Sequence, residues 1–88
     1  MATVISGQQL VGTTRVQIDG MHNQWSHIHI RNNDTTKTLY IGGSNVTTAN
    51  GLSIDKLATI DWEVPPNTAI YMIAAADTVN VGWMRINY

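Results

Sequence analysis

Apolar and polar positions alternate in twos along most of this chain. Successive side chains of a strand point to opposite faces, so a period of two marks a half-buried strand. Ile28 and Ile30 fall on one face, with Trp25, His27, His29 and Arg31 on the other. Ile60, Trp62 and Val64 share a face opposite Thr59, Asp61 and Glu63, and Leu39 and Ile41 point inward. Apolar residues nowhere recur at helical spacing for long enough to make a helix. β-branched Thr, Val and Ile dominate, and these favour pleated backbone. The pattern predicts strands over Thr3–Ser6, Gln9–Ile18, Gln24–Asn32, Thr38–Gly42, Leu57–Val64, Ala69–Ala75 and Val79–Tyr88, with a short piece at Leu52–Asp55.

Turn residues fall between these segments. Asp19-Gly20 ends the second. Asn32-Asn33-Asp34-Thr35-Thr36 is a polar loop, and Gly42-Gly43 offers positive φ where the chain swings away. Asn50-Gly51 suits a type I′ or related turn. Pro65-Pro66-Asn67 stops the strand before it, because proline donates no ladder hydrogen bond. Asp77 opens the last connection. Short strands at this spacing predict an all-β protein, a small antiparallel β-sandwich or barrel of about 7–8 strands. Residues 1–88 form one domain, with 1–20 a more mobile N-terminal arm or an edge hairpin. Two strands are apolar on both faces: Ile70 and Met72 oppose Tyr71 and Ile73, while Gly82, Met84 and Ile86 oppose Val79, Val81 and Trp83. Such a strand is either central or covered by a neighbouring subunit.

Composition sharpens the second alternative. Charged residues make up 12% of the chain against 43% hydrophobic. Average domains carry about 25% charge, so low charge points to surface buried against another surface. With 88 residues and no cysteine, the chain has a small core and no disulfide. Arg15, Arg31, Lys37, Lys56 and Arg85 are scattered and form no basic patch, which argues against nucleic acid. No apolar run approaches the ~20 residues of a membrane span. Met1 to Gly7 lacks the basic and apolar regions of a signal peptide.

Candidate chemistry is sparse. His27-x-His29 places two imidazoles on one strand face, with His22 nearby. A His-x-His pair chelates metal in cupins, but that pattern continues with a Glu four or five positions on and a later His. Here those positions hold Asn33 and Asp34, and no His follows. A ligand set of His22, His27 and His29 is geometrically open, as is a metal on an oligomer axis, yet no metal or cofactor is expected. Asp61 and Glu63 have a spacing glycosidases also use, but a solvated strand face is the favoured reading. There is no nucleophile elbow or phosphate loop, and no enzymatic activity is expected. Trp62 is assigned to the core. Trp25 and Trp83 fit either packing or sugar stacking. Trp25, His27, His29, Arg31, Tyr71, Ile73 and Trp83 are the candidate partner or subunit interface, where Trp and Arg are enriched.

One stretch carries more information: Tyr40-Ile41-Gly42-Gly43-Ser44-Asn45-Val46-Thr47-Thr48, followed by Asn50-Gly51-Leu52-Ser53-Ile54. It is preceded by Arg31-Asn32-Asn33 and followed by Val64-Pro65-Pro66-Asn67, Ile70-Tyr71-Met72 and Thr78-Val79-Asn80-Val81. This order resembles small accessory structural proteins of tailed-phage virions: head-decoration or cement proteins, head-fibre bases, and tail or baseplate parts. The match runs over Ile28–Val81. The chain departs from it at Asn67, where glycine is usual, although Asn also tolerates positive φ. The His27-x-His29 strand and the Trp83–Tyr88 tail are not part of the pattern.

The resemblance implies a non-enzymatic virion component, assembled in the host cytoplasm. A capsid decoration or cement protein is the first expectation, binding the assembled capsid as a homo-oligomer, with a trimer the first guess. Its partners would be itself and the major capsid protein or another virion protein, with no nucleic acid and no membrane. The alternative is a tail, baseplate or fibre-associated module binding host-surface glycans.

Overall fold

The computed structural model describes residues 3–88, which form eight strands and no helix. They are β1 (Thr3–Val11), β2 (Val16–Gln17), β3 (Ser26–Asn32), β4 (Leu39–Gly42), β5 (Leu52–Ile54), β6 (Thr59–Val64), β7 (Tyr71–Ala74) and β8 (Val79–Asn87). Two four-stranded antiparallel sheets result, a first sheet ordered β1-β8-β3-β6 and a second ordered β2-β7-β4-β5. Every connection except β4–β5 crosses from one sheet to the other, which is the double Greek-key arrangement of a jelly roll.

The alternation read from the sequence sets the two faces. Ile28 and Ile30 of β3, Leu39 and Ile41 of β4, Met72 and Ala74 of β7, and Val79 and Val81 of β8 are buried between the sheets. Val11, Ile18, Ile54, Val64 and Ile70 complete the core, and Trp62 and Trp83 pack against it half-buried. The two doubly apolar strands, β7 and β8, are both inner strands of their sheets, the first of the two expected alternatives.

The expected break near Gly7 is absent. β1 runs nine residues in register with β8, and Gly7 stays in the strand because Trp83 lies opposite it. The chain turns instead after Val11, and β2 pairs with β7 in the other sheet. β1 and β2 are therefore edge strands of opposite sheets, not the edge hairpin expected over 1–20. Residues 1 and 2 of that segment lie outside the described residues.

Two glycine expectations change as well. Neither Asn50-Gly51 nor Gly42-Gly43 has positive φ. Asn50 accepts a hydrogen bond from the Thr47 amide through Oδ1 (2.8 Å) and donates through Nδ2 to the Asn45 carbonyl (3.2 Å). Gly51 donates to the Thr47 carbonyl, closing a compact turn in place of a type I′ hairpin. A Cβ at Gly42 would meet Val46 Cγ2 at 3.0 Å, and one at Gly51 would meet it at 2.9 Å. These glycines serve close packing around buried Val46. Asp19-Gly20 and Asn67 do adopt positive φ, at 57°, 90° and 58°, as the turn reading requires.

Candidate functional site

The outer face of the first sheet gathers the side chains with most chemistry. Antiparallel pairing places His27 opposite Glu63 on one side and Ile86 on the other. His29 faces Asp61 and Met84, and Arg31 faces Thr59 and Gly82. β3 is an inner strand, held by β6 and β8 along nearly its whole length, so the positions of the two histidines are fixed by backbone ladders.

His27 is clamped between two carboxylates. Its Nδ1 lies 2.9 Å from Glu63 Oε1 and its Nε2 lies 2.7 Å from Asp61 Oδ2. A neutral imidazole can donate to only one of them, whereas the imidazolium donates to both. The His27 pKa is accordingly raised above 6.5, chiefly by the hydrogen bond to Glu63 and next by that to Asp61. The His29 ring leans on His27, with centroids 4.9 Å apart and planes at 51°. One donor atom each from His27, His29 and Asp61 lies within 4.8 Å of the others. The pair faces outward from the sandwich, so it lines no interior cavity.

Beside this group runs a shallow groove of about 460 Å³, crossing all four strands. Its floor is Gly82, which brings no side chain between Gln8 and Arg31, and Met84 and His29 stand at its side. A second cavity of about 370 Å³ opens between the sheets and is mainly apolar, lined by Ile41, Leu52, Trp62 and Ile70.

The seven residues expected at an interface do not share one surface. His27, His29 and Arg31 are together on the outer face of the first sheet. Tyr71 and Ile73 are half-buried on the outer face of the second sheet, with Tyr40 opposite Ile73. Trp25 precedes β3 and is 54% exposed, while Trp83 turns inward. His22 is separate from the other histidines: its Nε2 lies 2.7 Å from Asp19 Oδ2 and its Nδ1 lies 3.3 Å from Asn87 Nδ2.

The sequence reading set Asp61 and Glu63 apart from the histidines, and cross-strand register brings them together. It also passed over a buried polar group at the end of the core. Arg85 is 1% exposed, donates from Nη1 to Ser26 Oγ at 3.2 Å, and places Nε 3.1 Å from Asp19 Oδ2. Burial pushes the Arg85 pKa below its ordinary value, and Asp19 opposes that shift. The available signal was phase: Arg85 and Asn87 continue the inward set Val79, Val81 and Trp83.

All-antiparallel pairing and the crossing topology define a small jelly-roll sandwich. No protein-family model matches the chain, and no curated protein matches it. Among solved structures it is similar to one from Bacillus endospore appendages, described as a novel family of disulfide-linked pili. The superposition covers 100% of this chain and 86% of that one, with a TM-score of 0.70 and 14% sequence identity, a likeness of fold.

Proposed function

We propose that this protein is a non-enzymatic structural subunit that assembles with copies of itself on a larger particle, the capsid surface of a phage virion being the first candidate. The carrying observation is β1. This nine-residue strand lies at the edge of the first sheet and pairs only with β8. Its outer face exposes Val4 (62%), opposite Ile86 of β8, and Leu10 (68%), opposite Asn80. A long, open edge with exposed apolar side chains is a template for a further chain. The low charge of the chain supports the same reading.

The appendage pilus supports assembly for a jelly roll of this size, but its disulfide linkage has no counterpart among 88 residues without cysteine. Association here is therefore non-covalent, with a trimer the first guess. The resemblance of Tyr40–Thr48 and its flanks to phage accessory proteins supports the virion setting. A glycan-binding tail or fibre module is the second reading. Exposed Trp25 favours it, while inward Trp83 does not join it in a groove.

Co-sedimentation with purified, assembled capsids tests the first reading. Saturable binding to capsids and none to free capsid subunits is expected. Absence of capsid binding, together with retention on a glycan array that Trp25→Ala abolishes, would replace it with the second.

A further inference from the structure

We infer that the outer face of the first sheet holds a divalent transition-metal site, with His27, His29 and Asp61 as ligands and Glu63 supporting His27 from behind. This inference stands apart from the assembly reading.

The donors are already converged, all within 4.8 Å of one another. Bonds of about 2.0–2.1 Å in tetrahedral zinc place donors roughly 3.3 Å apart. A cation inserted between His27 Nε2 and Asp61 Oδ2 widens their 2.7 Å contact slightly and draws in His29. Asp61 is half-exposed and can rotate to allow this, while the ladders on both sides of β3 keep the backbone spacing.

Glu63 is the second observation. Its Oε1 sits 2.9 Å from His27 Nδ1, on the side of the ring away from Asp61. A carboxylate accepting the Nδ1 proton fixes the tautomer that presents the Nε2 lone pair, and it raises the basicity of the ligand. That is the carboxylate–histidine–metal relay that supports protein zinc sites.

The donor set chooses the class of ion. Two imidazoles and one carboxylate suit Zn²⁺, Co²⁺, Ni²⁺ or Cu²⁺, whereas Mg²⁺ and Ca²⁺ take oxygen shells. Three protein donors leave a fourth position for water or for a donor from outside the chain. The nearest cation on this face, Arg31, stands one row away opposite Thr59 and Gly82.

The test uses the full-length protein without tag histidines, treated with chelator. Zn²⁺ is titrated by calorimetry and Co²⁺ by visible absorption. One ion per chain is expected, with the intense visible bands of tetrahedral Co²⁺. His29→Ala and Asp61→Asn should each weaken binding by more than about 100-fold, and Glu63→Gln by about 10-fold or more. Both His29 and Asp61 are on the solvent face, and far-UV circular dichroism checks that each variant folds. Zn²⁺ should shift the imidazole NMR signals of His27 and His29 and leave those of His22 in place. Two results would each overturn the inference: no saturable binding below about 1 mM, or full binding retained by a folded His29→Ala variant.

Discussion

Arg85 is buried against Asp19, its Nε 3.1 Å from Oδ2 in a site where the guanidinium is 1% exposed. Neither Nε nor Nη2 has a hydrogen-bond partner there, so the nearby charge of Asp19 is the principal compensation for the guanidinium. Removing one member of a buried pair leaves an uncompensated charge, at a cost of about 3–5 kcal/mol. Asp19→Asn preserves side-chain size and tolerance of the positive φ at this position, and removes the charge that faces both Arg85 and His22. The expected outcome is a fall of that order in unfolding free energy by urea titration, with the slope unchanged. A loss below about 1 kcal/mol would mean that Arg85 finds other compensation.

The glycines of the β4–β5 connection should differ sharply. A Cβ at Gly51 would meet Val46 Cγ2, the Thr47 carbonyl oxygen and Tyr40 Cβ, all within 3.0 Å. One of these is backbone, so Gly51→Ala should destabilise by about 1–3 kcal/mol. At Gly43 the nearest atom is Asn45 Oδ1 at 3.7 Å, and φ is not positive. Gly43→Ala should stay within about 0.5 kcal/mol of the parent. Thermal melting of the two variants side by side distinguishes the cases.

Asp34 should contribute an acid-sensitive part of the stability. Its carboxylate accepts from the Thr36 amide at 2.8 Å and the Lys37 amide at 2.9 Å. These bonds hold its pKa below 3.8, the Thr36 bond foremost. A depressed folded value contributes stability above the unfolded pKa and loses it as pH falls through the folded one. Urea midpoints of the parent should therefore drop relative to Asp34→Asn as pH falls below about 4, and run parallel to it near neutrality. Parallel curves throughout would show that the charge form does not matter.

Charges on the open edge should separate folding from assembly. Val4 and Leu10 point to solvent from β1. Val4→Lys with Leu10→Lys should change unfolding free energy by about 0.5 kcal/mol or less at each site. The same pair should dissociate an assembled form, because charge on an edge strand opposes further pairing. Sedimentation velocity of the double variant checks this.

Much of the fold was legible because alternation is local. Ile28, Ile30, Ile60 and Val64 fell on the inward face as their spacing requires, and Asn67 took the positive φ read from its place after Pro66. Other features depend on which strands become neighbours. Gly7 reads as a strand breaker until Trp83 is known to lie opposite it. Asp61 and Glu63 read as solvated until they register beside His29 and His27. The residues that carry the phage resemblance also have local structural tasks. Asn32 is fully buried and donates to the carbonyls of Lys37 (2.8 Å) and Ile54 (3.0 Å), joining the two sheets, and Gly42 and Gly51 make room for Val46. The histidine cluster lies in a strand for which the resemblance has no pattern, and its chemistry emerges only from the pairing of β3 with β6.

The most direct test of the assembly account is the solution mass of the purified protein by multi-angle light scattering across a concentration series. The account predicts a discrete, closed multiple of the 9.7 kDa chain, with three copies expected first. A mass of 9.7 kDa at every concentration would contradict self-assembly through the β1 edge.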